Sequence, residues 1–136
     1  MPSATATALA VGAEAEYWDG LMAGELRLQR CARCAAWHWP AVFRCKDCGS
    51  WDHVWEPVDL AGSVYSWTRS WHPFGGLEAL DKPFVIAVVQ LKGGGGARLV
   101  GIMDDPGEVR IGQSVTGRTT TTIHAGEPVP AIRWSA

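Results

Sequence analysis

The alternation of apolar and polar positions divides this chain into one helical stretch, a cysteine-rich stretch and a series of short strands. Residues 1–12 are mostly Ala, Thr and Ser with no periodic pattern, and we expect them to be disordered. From Ala13 to Ala23 apolar positions recur at helical spacing: Tyr17 with Leu21 and Trp18 with Met22 are i, i+4 pairs on one side. Glu14 and Glu16 suit the positive end of the helix dipole, and Gly24 is a fitting stop. So short a helix is not stable alone and must dock on its own domain or on a partner. After residue 57 the period changes to two. Gly62 to Trp71 alternates, with Tyr65, Trp67, Arg69 and Trp71 on one side and Val64, Ser66, Thr68 and Ser70 on the other. Phe84 to Leu91 is a continuous apolar run, Arg98 to Met103 and Ser114 to Ile123 read as strands, and a last one covers Ala131 to Trp134. Gly93 to Gly96 reads as a flexible hairpin turn, and Asp104-Asp105-Pro106-Gly107 as another turn. Five strands at this spacing imply a small Greek-key barrel of the OB-fold type. His72 to Lys82, longer than a barrel connection needs, falls where such a barrel borders its binding face and reads as functional or mobile.

Between helix and barrel lie all the cysteines: Cys31-Ala32-Arg33-Cys34 and Cys45-Lys46-Asp47-Cys48. A two-residue gap lets both sulfurs of a pair reach one metal, and two such pairs complete a closed tetrahedral site. Such a site has no open position for water or substrate, so its metal supports the fold. Zinc is the expected ion, while sulfur ligation alone also accommodates iron. A redox dithiol is expected in one copy beside a βαβ pattern, which is absent here. Disulfides belong to secreted chains, and no basic, apolar leader precedes Arg27; we therefore expect a cytoplasmic protein. His38 and His53 flank the pairs and read as non-ligands beside four cysteines. Short strands at Leu26 to Gln29 and Trp37 to Pro40 give the order strand, knuckle, strand, knuckle of a zinc ribbon. The expected organisation is residues 1–12, a docking helix at 13–24, a ribbon at 25–56 and a barrel at 57–136.

Charge and aromatic content refine the picture. Fourteen acidic and twelve basic side chains give a net charge of −2, which disfavours nucleic acid as a partner. There is no stretch of about 18 apolar residues, so no membrane span is expected. Arg27, Arg30, Arg33, Arg44 and Lys46 lie on the ribbon with no acid between residues 26 and 46. Zinc with four thiolates carries −2, leaving about +3 there, either as charge balance or as a phosphate site. Trp37, Trp39, Trp51, Trp55, Trp67 and Trp71 crowd the seam between ribbon and barrel, as core filling or as a groove.

The ordered set of parts is recognisable. Leu28-Gln29-Arg30-Cys31-Ala32-Arg33-Cys34, a second knuckle ending Cys48-Gly49, Gly62-Ser63-Val64-Tyr65-Ser66-Trp67-Thr68, Pro83-Phe84-Val85-Ile86-Ala87 and Ile111-Gly112-Gln113-Ser114-Val115 follow one another. The chain from about Tyr17 onward thereby resembles the acyl-CoA-associated zinc-ribbon plus OB-fold family, catalogued as domain of unknown function thirty-five. The resemblance implies a mainly β fold with an N-terminal helix, a rubredoxin-like zinc ribbon and a five-stranded OB-fold barrel. It also implies zinc on Cys31, Cys34, Cys45 and Cys48, and a non-catalytic role beside thiolase-superfamily enzymes of lipid metabolism, such as steroid side-chain aldolases or acyltransferases. The family offers no catalytic residue to carry over.

The residues agree with that absence. With every cysteine on metal no thiol nucleophile remains, and the four histidines fall in no motif with Ser or Asp. A coenzyme A thioester would need cations, an aromatic platform and a groove. Arg69 with Trp67 and Trp71 is the local candidate, with Arg30, Arg33 and Lys46 as phosphate contacts; a buried aromatic strand and a solubilising charge set are the plainer alternative. A ribbon and OB-fold that bind nucleic acid form a second hypothesis, and an autonomous hydrolase or lyase a third.

Overall fold

A computed structural model describes residues 12–72 and 75–136; the disorder expected at the N-terminus falls, Gly12 apart, outside the described residues. Helix α1 spans Ala15–Met22. Glu16 lies in its first turn, and Gly24, at φ +90°, ends it by donating its N–H to Leu21 O at 3.2 Å. Tyr17 and Leu21 are buried, Trp18 is half-buried and Met22 is 76% exposed, so only the first of the two expected pairs reaches the core. Of the two docking choices, the helix takes its own chain. Tyr17 packs on Trp39 at 4.4 Å between ring centres, and Arg27 reaches back to Glu16 at 3.6 Å.

The ribbon is a three-stranded antiparallel sheet in the order β2-β1-β3, from β1 Arg27–Cys31, β2 Trp37–His38 and β3 His53–Pro57. The barrel contains β4 Ala61–Ser70, β5 Phe84–Leu91, β6 Arg98–Met103, β7 Ser114–His124 and β8 Glu127–Ser135, closed in the order β4-β5-β6-β8-β7. Its strands were all expected, with β8 starting earlier than Ala131. Pro128 and Pro130 pair with β7 through Ile123 and Thr121, while β6 joins β8 only at Arg133 and Trp134. Along residues 127–132 the far edge of β8 is unpaired, which is where a residue without an N–H fits a strand. Trp134 is fully buried beside Gly101 and Gly117; a Cβ on either glycine would come within 2.6 Å of the indole.

One core runs through both modules. Leu26 and Leu28 of the ribbon are buried in the same cluster as Val64, Val85, Val89, Leu99 and Trp134. Trp37, Trp39 and Trp55 pack against it as seam filling, whereas Trp51 and Trp71 stay exposed. The glycine turn of the β5–β6 hairpin is part of this seam. Gly94 is buried, with Leu28 Cδ1 2.6 Å from where its Cβ would lie, and a Cβ on Gly95 would lie 2.9 Å from Trp37. Three successive glycines at φ +62°, +71° and +74° let the turn lie flat on the ribbon, so what composition suggested as a flexible turn is packed. Among the described residues no helix is long and apolar enough to cross a membrane.

Candidate functional site

The two knuckles are built alike. The Cys31 N–H donates to Ala36 O and the Cys45 N–H to Ser50 O, both at 2.8 Å. Ala35 N–H returns to Cys31 O and Gly49 N–H to Cys45 O, at 3.0 and 2.9 Å. Each turn closes on a left-handed residue, Ala35 at φ +66° and Gly49 at φ +79°. These turns present four sulfurs to a common point, all within 4.8 Å of one another. Cys31 and Cys48 are 3.5 Å apart and Cys34 and Cys45 3.6 Å. A tetrahedron with Zn–S bonds of about 2.3 Å has sulfurs about 3.8 Å apart, so the donor set fits zinc and leaves no open vertex. When bound, the ion supplies a crosslink between the knuckles.

The electrostatics of the thiols favour ligation. Backbone donors, first the Cys34 N–H, draw Cys31 down to about 6 against desolvation. The corresponding donors, first the Cys48 N–H, also lower Cys45. At Cys34 the donor from Ala36 pulls downward but is outweighed by desolvation and by the neighbouring thiols, which push it up to about 12. A divalent cation removes that competition, since coordinated thiols are deprotonated. The flanking histidines stand outside the tetrahedron. His53 Nε2 donates to Phe43 O at 2.8 Å, and His38 Nε2 lies 3.3 Å from Cys45 Sγ.

The other residues singled out in the sequence fall into two groups on different modules. On the barrel, a bulge at Tyr65 shifts the register of β4: Val64 pairs with Val89 and Ser66 with Val88. Trp67 and Arg69 therefore oppose the inward-facing Ala87 and Val85, whereas Tyr65 is turned outward beneath the Arg98 guanidinium at 3.8 Å. The expected four-residue face is thus split. Arg69 donates to Pro106 O and Gly107 O at 2.8 and 2.6 Å and stands 5.2 Å from the Trp67 ring centre. Trp67 is 37% and Trp71 71% exposed, which makes this an accessible aromatic strand end rather than core. On the ribbon, Arg30 lies over Trp37 at 4.8 Å, donates to Ala35 O at 2.8 Å and pairs with Glu56 at 3.3 Å. Arg33 and Lys46 are exposed, one on each knuckle.

Asp104 drew no attention in the sequence beyond its turn. Its carboxylate accepts from Arg133 Nε at 2.8 Å, Arg118 Nη2 at 2.9 Å and Ser135 Oγ at 3.1 Å, tying β6 to β7 and β8. Desolvation raises its pKa, but the bonds from Arg133 and Ser135 and the two guanidinium charges outweigh it and hold the carboxyl below its ordinary value. Beside it a cavity of about 460 Å³ opens between the long β4–β5 loop and β6, with Lys82, Phe84 and Arg133 in its wall.

These features define a class: a sulfur-bound ribbon fused through one core to an OB-fold barrel. The chain belongs to the ribbon-and-barrel family of domain of unknown function thirty-five. Residues 18–50 match the family described as "ChsH2, rubredoxin-like zinc ribbon domain" and residues 55–120 that described as "ChsH2, C-terminal OB-fold domain". Over 119 residues the chain is 34% identical to the "Probable enoyl-CoA hydratase alpha subunit" of Thermomonospora curvata. That match takes in 84% of this chain but only 35% of the length of that curated relative. Among solved structures, the chain is similar to one from the "Ltp2-ChsH2(DUF35) aldolase", at TM-score 0.76 and 27% identity, covering 93% of this chain and 96% of that one. A protein of unknown function from the same family in Sulfolobus solfataricus shares the fold, at TM-score 0.58 and 20% identity, over 91% of this chain and 84% of that one.

Proposed function

We propose that this protein is a non-catalytic accessory subunit that docks on a thiolase-like enzyme, such as a steroid side-chain aldolase or an acyltransferase, and helps hold its acyl-CoA substrate. The observation that carries the reading is the similarity, over nearly the whole chain, to a component of an aldolase named as a pairing of two proteins. The chemistry of the chain is consistent with a supporting role. Its sulfurs converge on one closed site, which supplies neither a nucleophile nor an open metal position. In this reading the helix (13–24) and ribbon (25–56) stiffen the barrel (57–136), which offers the ligand surface, and the protein works in the cytoplasm.

Trp67 and Trp71 are the proposed aromatic platform for the thioester, with Arg69 holding that platform against the Pro106-Gly107 turn. Arg33 and Lys46 are exposed and suited to phosphate, and Arg30 keeps N–H groups beyond the two it uses on Ala35 and Glu56. Nucleic acid fits less well: the net charge is −2, and Arg27 and Arg69 are engaged within the chain.

The test is co-expression with a thiolase-like enzyme from the same organism, followed by assay of the purified pair and of each chain alone. The expected result is a stable complex that turns over acyl-CoA, and no turnover by this chain alone. Trp67→Ala with Trp71→Ala should raise the KM for the thioester several-fold while the complex still forms. Turnover by the isolated chain, or a pair that forms no complex, would overturn the reading.

A further inference from the structure

Two polar side chains are buried in the described part of the protein, Gln29 at 3% and His38 at 4% exposure, and they face each other across β1 and β2. A buried polar group is costly unless it is hydrogen-bonded, so each raises the question of its partner. Gln29 uses both ends of its amide on one residue: Nε2 donates to Val42 O at 2.7 Å, and Oε1 accepts from Val42 N at 2.9 Å. That clamp fixes the approach to the second knuckle. The partner of His38 is the knuckle itself, where its Nε2 lies 3.3 Å from the sulfur of the buried Cys45.

We propose that His38 is a positioning residue of the metal centre, donating Nε2–H to the Cys45 thiolate from outside the coordination shell. Four sulfurs already fill a tetrahedron, and a fifth donor has no vertex to occupy. A thiolate in a dry site still has lone pairs to satisfy, and an N–H aimed at it spreads its charge and fixes the direction of the sulfur. The ring is itself braced. His53 meets it edge-on at 5.9 Å and 85°, held in turn by its bond to Phe43 O. Gln29 and His38 thus anchor the second knuckle to the sheet, one through backbone and one through sulfur. The inference rests on the four-cysteine centre and is independent of whether the chain binds a thioester.

The experiment uses the full chain loaded with the spin-active cadmium isotope. A scalar coupling between cadmium and the His38 Hε2 proton, carried through the N–H···S bond, is the expected signal. In the zinc form, His38→Phe should release metal to a chelator roughly tenfold faster. His38→Gln, which keeps a donor, should recover part of that loss. No coupling in the wild-type chain would overturn the proposal, as would a cadmium–Nε2 coupling large enough to mean direct ligation. Equal release from wild type, His38→Phe and His38→Gln would also overturn it. Should His38→Phe not fold, the coupling in the wild-type protein decides the matter by itself.

Discussion

Replacing Gly95 by Ala isolates the contact that joins ribbon to barrel, because Gly96 next to it provides an internal control. Both have left-handed backbones, at φ +71° and +74°, so a Cβ costs each about 1 kcal/mol in conformation. They differ in what the new atom meets. At Gly95 it falls 2.9 Å from Trp37 Cβ and Cδ1, at the root of a side chain that cannot move without its backbone. At Gly96 the nearest atom is Gln90 Nε2 at 3.5 Å, an ordinary contact. Overpacking typically adds about 1–3 kcal/mol, so Gly95→Ala should cost about 2 kcal/mol more than Gly96→Ala. With a urea slope of about 2 kcal/mol/M for a domain of this size, the midpoints should differ by about 1 M. The assay is equilibrium unfolding of both variants in zinc-loaded form, followed by tryptophan fluorescence. Coincident midpoints would refute the packed seam and restore the glycine run as a free hairpin turn.

Cys31→Ser should abolish stoichiometric zinc in metal analysis, with a loss on the order of 10 kcal/mol in apparent binding energy. Because Leu26 and Leu28 share the barrel core, circular dichroism and tryptophan fluorescence should fall together rather than in two stages. Tyr17→Ala should cost about 3 kcal/mol in a urea titration by emptying the helix–core contact. Burial pushes Tyr17 up to about 12, so its contribution to stability is intact below 10 and lost as pH rises from there through the folded value; an ultraviolet titration showing Tyr17 ionised near 10 in folded protein would contradict this. Asp104→Ala should cost about 1 kcal/mol at neutral pH. Its folded pKa is depressed, so that contribution is present above 3.8 and disappears as pH falls through the lower folded value; variant and wild type should converge in acid, and a constant gap would refute the network.

The parts of this protein that depend on local spacing were legible before any coordinates. Two C-x-x-C pairs specify a metal site by their spacing, and alternation from Gly62, the apolar run from Phe84 and the β-branched threonines from Ser114 marked barrel strands. What escaped was the consequence of one residue or of distant packing. The bulge at Tyr65 is a backbone event with no signature in an alternating run, yet it moves Trp67 and Arg69 to the opposite face from Tyr65. Glycines 94–96 read locally as freedom, whereas Leu28 and Trp37, more than fifty residues earlier in the chain, make them a packing surface. Pro128 and Pro130 hid the first half of β8, because only the topology reveals that its outer edge is unpaired there. Asp104 looked like a turn residue, and its three partners come from β7 and β8.

In the proposed function, sulfur-bound zinc keeps the ribbon and barrel rigid so that the chain can serve a partner enzyme. The most direct measurement is acyl-CoA turnover by the thiolase-like partner alone, with the zinc-loaded chain, and with the chain stripped of metal. We predict stimulation only by the zinc-loaded chain, which by itself is inert. Turnover by the chain without its partner, or equal stimulation with and without zinc, would contradict the account.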